Sequence, residues 1–296
     1  IMAPGRSTTT SFTKIAVSTG HQPLGLMAWQ FIIMSVILLG IAGARGKPPP
    51  WTGKHMAVYL MICQRGGLIP NAISYALAVY QPACIMAILL STVPLFAFPI
   101  AIMLGTDRFH WRRLIGRLCG LFCVILIAGP DAALPDPALA LFIPIALIAP
   151  LLYAVEGNVI AKWGMWGLDP IQALTGASLI GIPLAVALAV LTGQFIDPTR
   201  IAWAAAEWAL VASASIHVAV YSSYFWLVTR AGAVFAAQVA YPVTAFGVIG
   251  AMVFLGERYS LYIWASFALM LAGLFLVQPR VNTGLVPERG FKEDTR

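Results

Sequence analysis

Residues 233–258 read AVFAAQVAYPVTAFGVIGAMVFLGER, and the reading of this stretch decides the fold. It is small and apolar over a length that crosses a bilayer. Pro242 interrupts it, and Gly256-Glu257-Arg258 closes it. A second copy stands at 84–108, CIMAILLSTVPLFAFPIAIMLGTDR, with Pro94 in the place of Pro242 and Asp107-Arg108 in the place of Glu257-Arg258. Two proline-broken spans that each end in an acid–base pair predict a duplicated membrane protein.

The composition agrees. Of 296 residues, 60% are hydrophobic and 10% charged, with a mean hydropathy of +0.87. Soluble domains carry about 25% charged residues. The apolar runs have helix length, not the alternating segments of about 10 residues used by outer-membrane barrels. The net charge of +7 sits in short loops between apolar runs, which fits cytoplasmic loops and not a nucleic-acid surface. Cys63, Cys84, Cys119 and Cys123 fall inside predicted spans without C-x-x-C spacing, and they read as small packing residues.

Apolar runs bounded by Gly, Pro or charge predict an all-α membrane protein of ten spans. These lie near 3–19, 24–43, 56–79, 84–105, 113–129, 138–162, 170–192, 204–229, 233–255 and 260–278. The chain begins at Ile1, and its polar opening makes the first helix short or truncated as a span. With the N-terminus inside, the cytoplasmic loops hold Arg45, Lys47, Lys54, Arg108, Arg112, Arg113, Arg117, Lys162 and Arg230. The outer loops hold only Arg200 and Arg258. Nine cations against two predict an inner-membrane protein with both termini cytoplasmic. Residues 280–296 read as a flexible tail.

The repeat extends along the chain. Lys14 and Lys162 stand 148 residues apart, Pro23 and Pro170 147, Pro94 and Pro242 148, Arg108 and Arg258 150, and Pro130 and Pro279 149. A nearly constant offset of half the chain divides it into five-helix repeats at 1–130 and 138–279. Five is odd, so the second copy enters the membrane from the opposite side, an inverted repeat with a site near the midplane between halves.

On these features the sequence resembles the EamA-like branch of the drug/metabolite transporter superfamily. The resemblance rests on Asn71-Ala72-Ile73-Ser74-Tyr75-Ala76-Leu77, Pro94 and Asp107-Arg108 in the first half. In the second half it rests on Leu227-Val228-Thr229-Arg230-Ala231-Gly232-Ala233, Pro242 and Gly256-Glu257-Arg258. Asp107 departs from the more usual Glu, and the short first helix departs from a cavity-lining one. The resemblance implies export of small metabolites, amino acids among them, by alternating access.

Ionisable residues inside spans are site candidates, because each costs several kcal/mol to bury in lipid. Arg65 lies in Gln64-Arg65-Gly66-Gly67-Leu68-Ile69-Pro70-Asn71. Pro70 lacks an N–H, so the Gly66 carbonyl loses its helical partner. Freed carbonyls beside a cation offer a seat for a substrate carboxylate, whereas Arg65 could equally snorkel to the interface. At 100° per residue, Gln64, Asn71 and Tyr75 share a polar stripe with Arg65 at its edge. Ser213, His217, Tyr221 and Tyr224 form a matching stripe on the eighth span. Such stripes line a cavity or act as interhelical glue. Glu156, beside Tyr153 on the sixth span, could hold a substrate ammonium, pair with Arg65 or Lys162, or carry a proton, and His217 could titrate in a proton-coupled step. Gln238 and Tyr241 add polar groups to the ninth span. Pro70, Pro94, Pro242, Lys14 and Lys162 are the gate or hinge candidates.

No H-E-x-x-H, G-x-S-x-G, P-loop or G-x-G-x-x-G motif occurs in a supporting context, so neither an enzyme nor a cofactor or metal site is expected. The expected partners are a small polar or zwitterionic metabolite, most simply an amino acid with an aromatic one favoured, and the lipid bilayer, in a monomer or homodimer. The alternatives are a proton-coupled multidrug or nucleoside carrier and a non-transporting scaffold or sensor.

Overall fold

A computed structural model describes residues 22–78, 80, 83–90, 92–107, 111, 114–116, 118–119, 122, 126, 141–197, 205–237, 239 and 260–276. The described elements are helical. In chain order they are α1 (Pro23–Ala44), α2 (Gly53–Ile62), a π-helical turn (Cys63–Leu68), α3 (Ile69–Ala78), α4 (Ala83–Leu90) and α5 (Val93–Met103). The second half contributes α6 (Ile143–Ala146), α7 (Ile148–Trp163), α8 (Pro170–Leu191), α9 (Ala205–Ala231), α10 (Ala233–Ala237) and α11 (Leu261–Leu276). Four stretches are long and apolar enough to cross a membrane: Pro23–Ala44, Ile143–Trp163, Pro170–Leu191 and Glu207–Ala231. Most of the stretch at 233–258, including Gln238, Tyr241 and Pro242, lies outside the described residues, as do Lys14, the predicted first span and the 280–296 tail.

α1 and α8 are built alike. Each has 22 residues and a proline in its first turn, whose fixed φ suits that position. Each ends on a glycine at positive φ, Gly46 (φ 62°) and Gly193 (φ 69°). Past that glycine the next N–H reaches back five residues, Lys47 to Ala42 and Gln194 to Ala189, a Schellman closure that satisfies the last carbonyls. Asp169 adds a capping box to α8 with Gln172. Pro23 and Pro170, Gly46 and Gly193, and Ala42 and Ala189 all stand 147 residues apart. The two helices are repeat mates in structure as well as in spacing.

They pack directly and run antiparallel. At one end the Leu24 N–H donates to Gln194 Oε1 (3.1 Å) and Trp29 Nε1–H to Ile196 O (2.9 Å). At the other, Arg45 pairs with Asp169 (3.4 Å) and Gln172 Nε2 donates to Pro48 O (3.1 Å). Opposite directions in corresponding helices are what an inverted repeat requires. Close approach depends on glycine: a Cβ on Gly181 would strike the Phe31 ring, and one on Gly176 the Tyr59 ring. Without a hydrophobic force between helices in lipid, such small-residue seats carry the packing.

One expectation changes in detail. The span expected at 84–105 is two helices meeting at Thr92, and Pro94 lies in the first turn of α5. Proline opens a helix there instead of kinking one, because its missing N–H is unneeded in a first turn. The span expected at 138–162 is carried by Ile143–Trp163, where Leu147 is a single turn residue between α6 and α7 and the bonds Leu147 N–H to Ile143 O and Leu151 N–H to Leu147 O run through it. Replacing Gly181→Ala is predicted to cost about 1–3 kcal/mol by overpacking against Phe31. Thermal unfolding in detergent should show this, with part of the loss recovered in Gly181→Ala/Phe31→Leu.

Candidate functional site

The π turn is the local anomaly from which the site is built. The Ile69 N–H bonds Gln64 O, five residues back, a wide turn that adds about one residue and rotates the helix face by about 100°. Pro70 follows and is buried. It cannot offer an N–H to Gly66 O. The donor comes instead from another helix: Tyr221 of α9, whose hydroxyl lies 3.1 Å from Gly66 O. The same hydroxyl lies 2.6 Å from Oε2 of Glu156 on α7, a carboxyl with 0% exposure. Gly66 fits because it has no side chain; a Cβ there would run into the Glu156 carboxylate and the Tyr221 hydroxyl.

Aromatic rings close in around Tyr221. His217 stacks on it at 5.0 Å, Tyr153 meets it edge-on at 6.3 Å, and Tyr224 and Phe225 tilt against it at 6.0 and 5.1 Å. A cavity of about 20 Å³ adjoins the cluster, lined by Phe31 and Met34 of α1, Cys63, Gly66 and Gly67 of the π turn, Asn71 of α3, Ser178 of α8, and His217 and Tyr221 of α9. Both halves contribute to its wall. Its volume suits a water molecule.

The structure therefore brings Asn71, His217 and Tyr221 to one cavity and sets Glu156, Tyr153 and Tyr224 against Tyr221. Ser213 is buried on the same helix. Tyr75 is buried and donates to Gln30 Oε1 at 2.9 Å. Gln64 and Arg65 are exposed and stand outside the cavity lining. They leave the face of Asn71 and Tyr75 because the π turn breaks the 100° phase between them. Lys162 is exposed at the end of α7, over the Trp163 ring at 5.0 Å. Among the described residues no group of three His, Cys, Asp or Glu could hold a metal ion.

Three polar residues were not foreseen. Gln30 and Ser178 stand 148 residues apart on the repeat mates α1 and α8, both buried. Asn158 Nδ2 ties α7 to α5 by donating to Ala97 O at 3.0 Å, and it also donates to Ala154 O at 2.8 Å. Gln30 carried a readable signal, as the single amide in an otherwise apolar span.

The model of the EamA-like transporter family matches residues 5–129 and 141–278, nearly the whole chain in two repeats. The chain belongs to the EamA-like transporter family. It is thus a multi-pass membrane protein whose family moves small molecules across a bilayer. A solved crystal structure is similar to this EamA-like chain at 15% identity, with a TM-score of 0.60 over 93% of this chain and 95% of the other. At that identity the likeness shows the fold alone. No curated protein matches the chain.

Tyr221→Phe removes the donor shared by Gly66 and Glu156. It is predicted to destabilise the protein by roughly 1 kcal/mol, measured by thermal unfolding in detergent. Ser223→Ala is the control. Its exposed hydroxyl bonds only Ala219 O of its own helix among the described contacts, and its loss should leave the melting temperature unchanged.

Proposed function

We propose that this EamA-like transporter exports a small polar or zwitterionic metabolite, most simply an amino acid, by alternating access at the cavity beside Tyr221. The observation that carries the reading is the polar, aromatic cluster around Glu156, buried where α1 and the π turn of the first half meet α7, α8 and α9 of the second. Glu156 supplies negative charge for a substrate ammonium. Tyr153, His217 and Tyr221 supply ring faces, which favours a substrate with an aromatic or otherwise flat side chain.

Arg65 takes the carboxylate end in this reading. It is exposed one residue before Gly66, and an arginine facing hydrocarbon at the centre of a membrane helix costs about 2.5–3.5 kcal/mol on insertion scales. A water-filled vestibule on that side relieves the cost and gives the cation a substrate anion to attract. The antiparallel α1–α8 pair, joined at both ends by polar contacts, provides the surface along which the halves rock.

The charge distribution supports a cytoplasmic placement of one end of the bundle. Arg45 meets Asp169, Lys54 lies over Trp166 at 5.9 Å, and Lys47 and Lys162 adjoin these contacts. α7 and α9 run parallel, since Tyr153 meets Tyr221 while Gly157 meets Tyr224. That brings Arg230 to the same end. Residues 192–197 at the opposite end hold no Lys or Arg. The cationic end is then cytoplasmic by the positive-inside rule.

Uptake of radiolabelled amino acids into inside-out vesicles tests the reading, with thermal stabilisation of the detergent-solubilised protein used first to rank substrates. Wild type should accumulate at least one amino acid, and Asn71→Ala and Arg65→Ala should lower its uptake. Unchanged uptake in Arg65→Ala removes Arg65 from the substrate path, and no uptake of any amino acid contradicts the substrate class.

A further inference from the structure

One ring on α1 stands where the two halves and the cavity meet. Phe31 is buried and borders the cavity, with Met34 about one turn further along the same helix. The tip of its ring faces Gly67 of the π turn, where a Cβ would lie 2.8 Å from Phe31 Cζ. The Cδ1–Cε1 side lies against Gly181 of α8, where a Cβ would strike it. Glycine weakens a helix relative to alanine, and here two glycines, one in each half, make room for the same phenyl group. The polar side chains of Asn71, Ser178 and His217 line the same cavity.

We propose that the slot between Gly67 and Gly181 is the pocket for the substrate's side chain, and that Phe31 decides what enters it. The proposal rests on the transport reading and names the part of that site which selects among amino acids. The slot has the dimensions of a phenyl ring because it holds one. An aromatic side chain takes it by displacing Phe31, while the polar groups of the substrate stay beside Asn71, Ser178 and His217. Displacement gives up the burial of the Phe31 ring. Wild type therefore binds such a substrate in proportion to the fraction of molecules whose slot is open.

The surroundings fit a ring that yields. Its two seats belong to different halves, so a movement of one half against the other parts the ring from at least one of them. Tyr59 supplies the contrast. Its ring occupies a glycine seat of its own at Gly176, but its hydroxyl donates to Pro50 O at 2.9 Å, and it stands outside the cavity lining. The Phe31 ring has no polar atom with which to be anchored in this way. The helix beside it is held, because Gln30 accepts from the Tyr75 hydroxyl at 2.9 Å. The part that turns is thus the Phe31 side chain and not α1.

Cys63 lines the same cavity and reports on the slot without any substrate. In the full chain in detergent, Cys84→Ala, Cys119→Ala and Cys123→Ala leave Cys63 as the only thiol. Its reaction with methyl and with benzyl methanethiosulfonate would be followed by mass. Phe31→Ala should speed the benzyl reaction about tenfold relative to the methyl one, because the slot no longer has to open first. Phe31→Leu changes less volume, should melt close to wild type, and should give a smaller rise in the same direction. An unchanged benzyl-to-methyl ratio in the folded variants overturns the proposal and leaves Phe31 a packing ring, as does no reaction of Cys63 with either reagent. In a second arm, Phe31→Leu should raise thermal stabilisation by phenylalanine relative to alanine; an unmoved preference overturns the selecting role. If the reagent ratio rises while no amino acid stabilises any form, the slot stands and the amino-acid reading fails. If amino acids stabilise wild type while the ratio is unchanged, the export reading stands and the slot fails.

Discussion

A backbone carbonyl set free inside a membrane helix must find a donor within the protein, because lipid supplies none. Pro70 creates that problem at Gly66, and the Tyr221 hydroxyl answers it from a helix of the other half. Much of the site follows from this contact. It requires glycine at position 66, since a side chain would occupy the space of Tyr221 and Glu156. It fixes the Tyr221 ring, on which His217 stacks and Tyr153 leans. It also holds Glu156 in the same hydrogen-bonded group. The wide turn at Cys63–Leu68 is thus both a defect in a helix and the point where the two halves are joined by chemistry.

Around that point the halves are joined by shape. α1 and α8 share a length, a proline start and a glycine stop, and they lie antiparallel with polar contacts at both ends. Phe31 lies between the two glycine seats at Gly67 and Gly181, so the ring of one half packs against backbone of both. Glycine seats give close packing without large side chains at the contact. The buried amide Gln30, met by Tyr75, adds a directional bond to the same surface.

Much of this was legible in the sequence, for physical reasons. Spans announce themselves through hydropathy, and a constant offset between prolines and charges survives duplication, so the helical membrane class and the repeat were readable from residues such as Pro23 and Pro170. The stripe Ser213, His217, Tyr221 and Tyr224 faces inward as its spacing predicts, because α9 is a regular helix. The stripe through Gln64 and Asn71 does not hold together, because the phase argument assumes 3.6 residues per turn and the π turn inserts an extra one. Pro94 was legible as a breakpoint but not as a helix start, a distinction that depends on the turn before it. The pairing of Glu156 with Tyr221 joins residues 65 positions apart, which no local pattern encodes.

The central claim is that this buried polar cluster belongs to a water-visited transport site between the halves. Sided cysteine labelling tests it most directly. In a cysteine-free background, Asn71→Cys and His217→Cys would be exposed to a membrane-impermeant maleimide in right-side-out and in inside-out vesicles. The account predicts that both positions react, and that the preferred side changes when a transported substrate is present. Failure of both to react from either side, in protein that melts like wild type, would contradict it and leave a dry structural core.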